Sequence, residues 1–206
     1  MNPSRSVRDV EGNEYPVTEL GGKLWITANL QSTKFQNGDT IPMVNNDEEW
    51  EYHGEKGLPA CCWYKNQSTG IARYGLLYNW FAVHDPRGLG PIGWRIPEIS
   101  DWTELVSSLG GWNIAGRKLK SRSGWNNFGS GNNATGFNAL PGGGRGALGS
   151  FLDMGDYGNW WCREEASERE ASFFYVTFLD SSVKIQKDGF KASGLSIRCM
   201  RNQFGD

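Results

Sequence analysis

The chain has 206 residues, enough for one substantial core or two small ones. Its 21 Lys and Arg against 23 Asp and Glu leave a formal net charge of −2, which gives no electrostatic reason to expect nucleic acid or an acidic membrane as partner. No apolar run reaches the roughly 18 residues of a transmembrane helix, and the polar start, residues 1–6, has no apolar stretch of signal-peptide type.

In chain order, residues 7–30 read as strands and tight turns. Gly12-Asn13 signals one turn, Gly21-Gly22 breaks the chain again, and residues 23–27 form a second strand candidate. Asn37-Gly38-Asp39 is a further turn signal, Asp47 to Trp50 suits one helical turn, and residues 60–64 are short, apolar and expected inside. Residues 75–84 are read as a mostly buried helix, because Leu76, Leu77, Trp80, Phe81 and Val83 cover a wide face before Asp85-Pro86 stops it. Ile99, Trp102, Leu105, Val106 and Leu109 form a clear helical stripe. Pro97 suits its start, Glu98 and Asp101 complement its dipole, and Gly110-Gly111 supply its stop.

Of 28 glycines, 14 fall between Gly110 and Gly158, a stretch that also holds Trp112, Trp125, Phe128, Phe137, Phe151 and Tyr157. A flexible linker lacks such aromatics, so an ordered long loop region is expected. Strands then dominate. Residues 173–178 are dense in aromatic and β-branched side chains, and residues 183–187 alternate with a wet Lys face. Asp188-Gly189 reads as a turn, and residues 195–201 alternate and close the domain. The whole chain, 1–206, is read as a single domain with frayed tails at 1–6 and 202–206. No internal repeat is found.

The four cysteines, Cys61, Cys62, Cys162 and Cys199, contain no CxxC pair, and His53 and His84 lie outside zinc-ligand spacing, so no metal site is assigned. Adjacent Cys61 and Cys62 are poorly placed to bond each other. Buried free thiols and a bridge from one of them to Cys162 or Cys199 both remain open. The densest basic grouping, Arg117, Lys118, Lys120 and Arg122, reads as a solvated turn.

Several segments occur in an order that resembles the Fibrobacter succinogenes major paralogous domain. They are residues 23–30 (KLWITANL), 62–64 (CWY), 74–80 (YGLLYNW), 93–97 (GWRIP) with Asp101-Trp102, 135–143 (TGFNALPGG), Trp160-Trp161, and 194–201 (GLSIRCMR). The resemblance spans about residues 7–201. It implies an α+β, C-type lectin-like fold related to formylglycine-generating enzymes and retroelement variable proteins. In that fold two helices pack on small antiparallel sheets, the first and last strands meet, and a long glycine-rich loop region holds the ligand face. It also implies export, often as a surface lipoprotein, so an extracytoplasmic location is expected although this chain shows no leader. The chain departs from the family where many members have Cys-Pro before the Gly-Trp motif. Here the run is Gly90-Pro91-Ile92, which puts a family disulfide through that position in question.

By the same resemblance, ligand-contacting side chains fall between Trp160 and Arg198. That segment carries Arg163, Glu164, Glu168, Arg169 and Tyr175, within a run of six charges in eight residues followed by aromatics. Exposed Arg and Tyr are common interface anchors, while a solvated charged loop is the plain alternative. The expected function is a non-catalytic cell-surface binding or adhesion module for a protein or glycan ligand, with no cofactor. A structural subunit of a bacterial surface complex is the alternative. An enzyme of the formylglycine-generating type would need Cys162 activated by a base or cation, and Arg163 is its one sequence neighbour of that kind. Calcium is a possible addition through Asn126, Asn127, Asn132, Asn133, Asp153 and Asp156, although Asn-rich turns are commonly just turns. Arg95, Arg145, Arg198 and Arg201 are expected to pin loop carbonyls.

Overall fold

The structure, a computed structural model, describes residues 5–70 and 72–202. Its elements run in chain order β1 (Ser6–Arg8), β2 (Glu14–Leu20), β3 (Lys23–Ile26), α1 (Asp47–Glu55), β4 (Cys61–Cys62), β5 (Leu77–Tyr78), α2 (Trp80–Val83), α3 (Ile99–Ser108) and α4 (Ala115–Leu119). Then follow β6 (Gly142–Arg145), β7 (Phe151–Met154), β8 (Tyr157–Glu165), β9 (Glu170–Thr177), β10 (Val183–Phe190) and β11 (Met200–Asn202). The described residues are thus mainly β with four α-helices, where two helices were expected.

One sheet has the order β1-β2-β3-β11, so the first and last strands lie in the same sheet. Met200 of β11 pairs antiparallel with Trp25 of β3. The second sheet has the order β10-β9-β8-β6-β7. It is not purely antiparallel, because β6 joins β8 in parallel at Gly143 and Gly158. A two-stranded ladder of β4 and β5 completes the set. Ser6 and Asn202, expected in frayed tails, each sit in a strand, paired with Pro16 and Lys23 respectively. Residues 1–4 and 203–206 of those tails lie outside the described residues.

The helix expected over residues 75–84 is reduced to α2. Gly75 has φ +75°, and a Cβ there would stand 2.6 Å from the Asn29 side chain. From that point the backbone pairs sideways: Leu76 N–H donates to Leu30 O, Leu77 and Tyr78 pair with Cys62 and Cys61, and Tyr78 also pairs with Leu195. Apolar residues buried on every side satisfy a central strand as well as a helix, and the hydrogen-bond partners decided between them. Only from Trp80 does a helix form, with Asn79 Oδ1 accepting from Ala82 N–H.

The stretch from Gly110 to Gly158 is ordered but is not one long loop. It contains α4, β6, β7 and the start of β8. β6 reads Gly-Gly-Gly-Arg and is buried throughout. Asp188-Gly189 likewise lies inside β10, at an irregular register against β9, rather than in a turn. Residues 194–196 make isolated bridges and residues 197–199 no regular strand, and the polar members of the segment are buried too: Ser196 is 2% and Arg198 0% exposed. The solvated turn expected around Lys120 is also corrected. Lys120 is buried, and its Nζ donates to Thr177 O and Asp180 O.

α3 forms as its stripe requires. Trp102, Leu105 and Val106 are buried, and the Asp101 carboxylate accepts from Glu98 N–H at its N-terminus. The stripe presses onto an aromatic cluster in which Trp102 stacks on Phe174 at 4.1 Å, Trp25 lies 4.9 Å away, and Phe137 stands edge-on to Trp160. Each such ring removes about 150–250 Å² from water. This core lies on one face of the five-stranded sheet, while the opposite face is covered by a second core at Trp161 and Ala171 and stays partly open at Tyr157, Phe173 and Tyr175.

Candidate functional site

Strand periodicity builds the other face. In β8, Trp160 and Cys162 point into the α3 core, while Tyr157, Asn159 and Trp161 alternate away from it. β9 does the same, with Phe174 and Val176 in the core and Phe173 and Tyr175 opposite. Cross-strand register aligns them, since Asn159 faces Tyr175 and Trp161 faces Phe173. The rings form a continuous row: Trp161 to Phe173 at 6.1 Å, Phe173 to Tyr175 at 5.7 Å, and Tyr175 stacked with Tyr157 at 6.1 Å.

The partly exposed end of this row, Phe173, Tyr175 and Tyr157, floors an open cleft of about 390 Å³, while Trp161 is fully buried and its Nε1 donates to Tyr78 O. Gly144, Gly146, Leu152 and Asp153 supply one wall, and Gln186, Asp188 and Phe190 of β10 supply the other. The glycines of β6 let the backbone come close. A Cβ on Gly143 would stand 2.3 Å from Leu152 O, so β6 can switch from β7 to β8 only with glycine there. Across that switch Asp153 sits at φ +63°, a conformation that costs a non-glycine residue about 1–2 kcal/mol. Burial, and then the charge of Asp156, push the Asp153 carboxyl above the usual carboxylate range. Strained residues held by their surroundings cluster at functional sites. The arrangement offers aromatic faces for stacking, with carboxylates and amides at the rim for hydrogen bonding.

The chain matches the family model described as Fibrobacter succinogenes major domain over residues 18–201. It belongs to the Fibrobacter succinogenes major domain family. No curated protein and no solved structure matches it.

The segments that carried the family resemblance converge in this Fibrobacter succinogenes major domain. Asn29, from residues 23–30, accepts through Oδ1 from Trp160 Nε1 and from Arg198 Nε. Arg198 also donates to Ile26 O, Phe137 O and Asn138 O. Arg145 does similar work, donating to Gly149 O, Val44 O and the Asp47 carboxylate. Arg95 grips Asp101 with two hydrogen bonds, at 2.6 and 2.9 Å, and also donates to Ile96 O, and Arg201 lies over the Trp94 ring.

The five residues singled out from the sequence do not form one constellation. Tyr175 lines the sheet-face cleft. Arg163 borders a smaller recess with His84 and Trp94, and its backbone N–H donates to Pro97 O. Glu164 is occupied, because its Oε1 accepts from Ile99 N–H at 2.6 Å and so caps α3. Glu168 and Arg169 sit at the β8–β9 turn and border a separate groove with Glu51, Lys56 and Phe190. The cleft residues that the sequence did not single out are Tyr157, Asn159, Trp161, Phe173 and Gln186, and Asp153 was named only as a calcium candidate. Period-2 spacing from Tyr175 points to Phe173, but the contribution of β7 has no sequence signal.

All four cysteines are buried free thiols. Burial pushes Cys62 up to about 11 and Cys199 up to about 12, and raises Cys61 and Cys162 further. The calcium candidates divide. Asn126 Nδ2 donates to Asp156 Oδ1 near Asp153, whereas Asn132 and Asn133 lie in the loop beside Asn138. Among the described residues, no group of three or more His, Cys, Asp or Glu side chains is placed to hold a metal ion, and no helix is long and apolar enough to cross a membrane.

Proposed function

We propose that this domain is a non-catalytic binding module, displayed outside the cytoplasm, that takes a saccharide in the sheet-face cleft. The observation that carries this reading is the row Phe173–Tyr175–Tyr157, anchored on buried Trp161 and flanked by Asp153, Asn159, Gln186 and Asp188. A sugar ring has apolar C–H faces and a girdle of hydroxyls, so it needs an aromatic platform with amides and carboxylates at its edge. A cleft of about 390 Å³ is of the size that takes a small ligand. It is open and shallow, which suits a residue within a longer chain.

Binding rather than catalysis is supported by the state of the thiols. Cys162, the nucleophile an enzyme reading would use, is 0% exposed and held protonated by its burial and by the Glu164 charge. The C-type lectin-like reading of the fold is part of the same proposal. It is supported by the pairing of β11 with β3 beside β1 and β2, and by a ligand face on the later strands.

Glycan-array binding by the domain and by a Tyr157→Ala/Tyr175→Ala variant tests the reading. The domain is expected to select saccharides, and the folded double variant to lose at least tenfold in affinity. Undiminished binding by that variant moves the site elsewhere, and absence of any saccharide binding by the unmodified domain overturns the ligand class.

A further inference from the structure

A second cleft, of about 470 Å³, lies across the fold and shares no lining residue with the first. Its wall includes Arg73, Arg122, Ser123, Asn133 and Asn138. None of its lining residues is acidic, in a chain where acids outnumber bases. Among the described residues, neither arginine is ion-paired with a carboxylate.

Each guanidinium is oriented by one neutral contact. Arg73 donates through Nη2 to the Tyr74 hydroxyl and lies over the Tyr74 ring at 4.8 Å. Arg122 donates through Nε to Asn132 O. A guanidinium carries five N–H donors, so each of these side chains keeps a fork of donors beyond its anchor. Two cations without a carboxylate partner border the same cleft, so an anion bound there gains from both charges.

The floor is rigid. Buried Arg198 holds Asn138 O from below at 3.0 Å, and Asn133 Oδ1 accepts from Asn138 N–H at 2.8 Å. Asn133 and Asn138 are both held at positive φ, 47° and 56°. The Asn133 carboxamide and the Asn138 backbone are therefore fixed before any ligand arrives, which spares part of the ordering cost of binding.

We infer that this cleft is an oxyanion-binding site, in which Arg73 and Arg122 clamp a carboxylate, sulfate or phosphate group and the Asn133 and Asn138 amides complete its hydrogen bonding. Arginine forks match such groups with two parallel bonds. The volume exceeds that of a bare ion, so the cleft has room for the group on a larger ligand such as an acidic sugar.

Isothermal titration calorimetry with glucuronate, sodium sulfate and sodium phosphate tests this in low salt. Saturable binding of at least one probe is expected, weakened at least tenfold in Arg73→Gln and in Arg122→Gln and weakened again by added salt. Tighter binding of glucuronate than of the two inorganic ions assigns the group to a saccharide, and the reverse order assigns it to a free ion. Both outcomes support an oxyanion site. No saturable heat from any probe, or undiminished binding in the folded Arg73→Gln/Arg122→Gln variant, overturns it. The Tyr157→Ala/Tyr175→Ala variant keeps this binding, so the two sites are tested separately.

Discussion

Arg198 and Asn29, 169 residues apart in the chain, meet side chain to side chain, with Arg198 Nε donating to Asn29 Oδ1 at 2.7 Å. The same oxygen accepts from Trp160 Nε1, while Asn29 Nδ2 donates to Tyr74 O and Ser196 Oγ. All four hydrogen-bonding positions of this amide are thus used inside the core. Asn29→Leu strands a buried guanidinium donor and an indole donor together. It is expected to destabilise the domain by about 3–5 kcal/mol, read from urea unfolding. A loss under 1 kcal/mol would show that the cluster does not hold the two ends of the chain together.

Asp101 gives the fold an acid-sensitive point. Burial alone raises its carboxyl, but hydrogen bonds from Arg95, Lys23 and Glu98 N–H outweigh this and bring it down to about 2 from an ordinary 3.8. A depressed carboxylate contributes stability that is present above its unfolded value and is lost as pH falls through its folded value. The loss therefore belongs between about pH 4 and pH 2, and amounts to on the order of 2 kcal/mol. Asp101→Asn should be less stable at pH 7 and show a flatter acid-unfolding curve in that window. Parallel curves for the two proteins would remove Asp101 from the account.

Glu164 is expected to matter for stability and not for ligand. Glu164→Ala removes the side-chain acceptor at Ile99 N–H, at a cost of about 1 kcal/mol. Thermal melting should register that cost, and saccharide affinity should stay within about twofold. A large affinity loss at unchanged stability would return Glu164 to the binding face.

Asp153→Gly separates strain from function. Glycine accepts φ +63° without the side-chain penalty. The variant should gain about 1 kcal/mol in stability while weakening saccharide binding, the exchange expected where a strained residue serves a site. A gain in stability at full affinity would make Asp153 a strained strand residue with no part in binding.

The thiols offer a simple check on the core. Cys61, Cys62, Cys162 and Cys199 are all buried and raised by that burial. A thiol reagent at neutral pH should label none of them in the native domain and all four in denaturant. Rapid labelling of Cys162 in the folded protein would reopen the enzyme reading.

Local pattern was sufficient for part of this protein. The stripe of Ile99, Trp102, Leu105 and Val106 became α3, the alternation at residues 183–187 became β10, and the ordered motifs placed the chain in its family. These succeed because each depends on contacts within a few residues, or on a side-chain period that one packed face enforces. Residues 75–84 show the limit. Their apolar run fits a buried helix and a central strand equally, and the strand was chosen by Leu30, Cys61 and Leu195, far away in the chain.

The site lies on the same side of that limit. Tyr175 was visible as an exposed aromatic, but its partners Tyr157, Phe173 and Asp153 become a cleft only when β7, β8 and β9 lie side by side. That Arg73 and Arg122 border one cleft has no trace in the linear chain at all. The sequence by itself determined the family, the better helices and strands, and the aromatic and glycine content from which a platform is built. Tertiary structure alone decided which aromatics share a face, which charged residues are spent on capping, and which border a cleft without a carboxylate partner. The physical reason is that backbone pairing and burial are satisfied globally, so a residue's free valence is known only after its distant neighbours are in place.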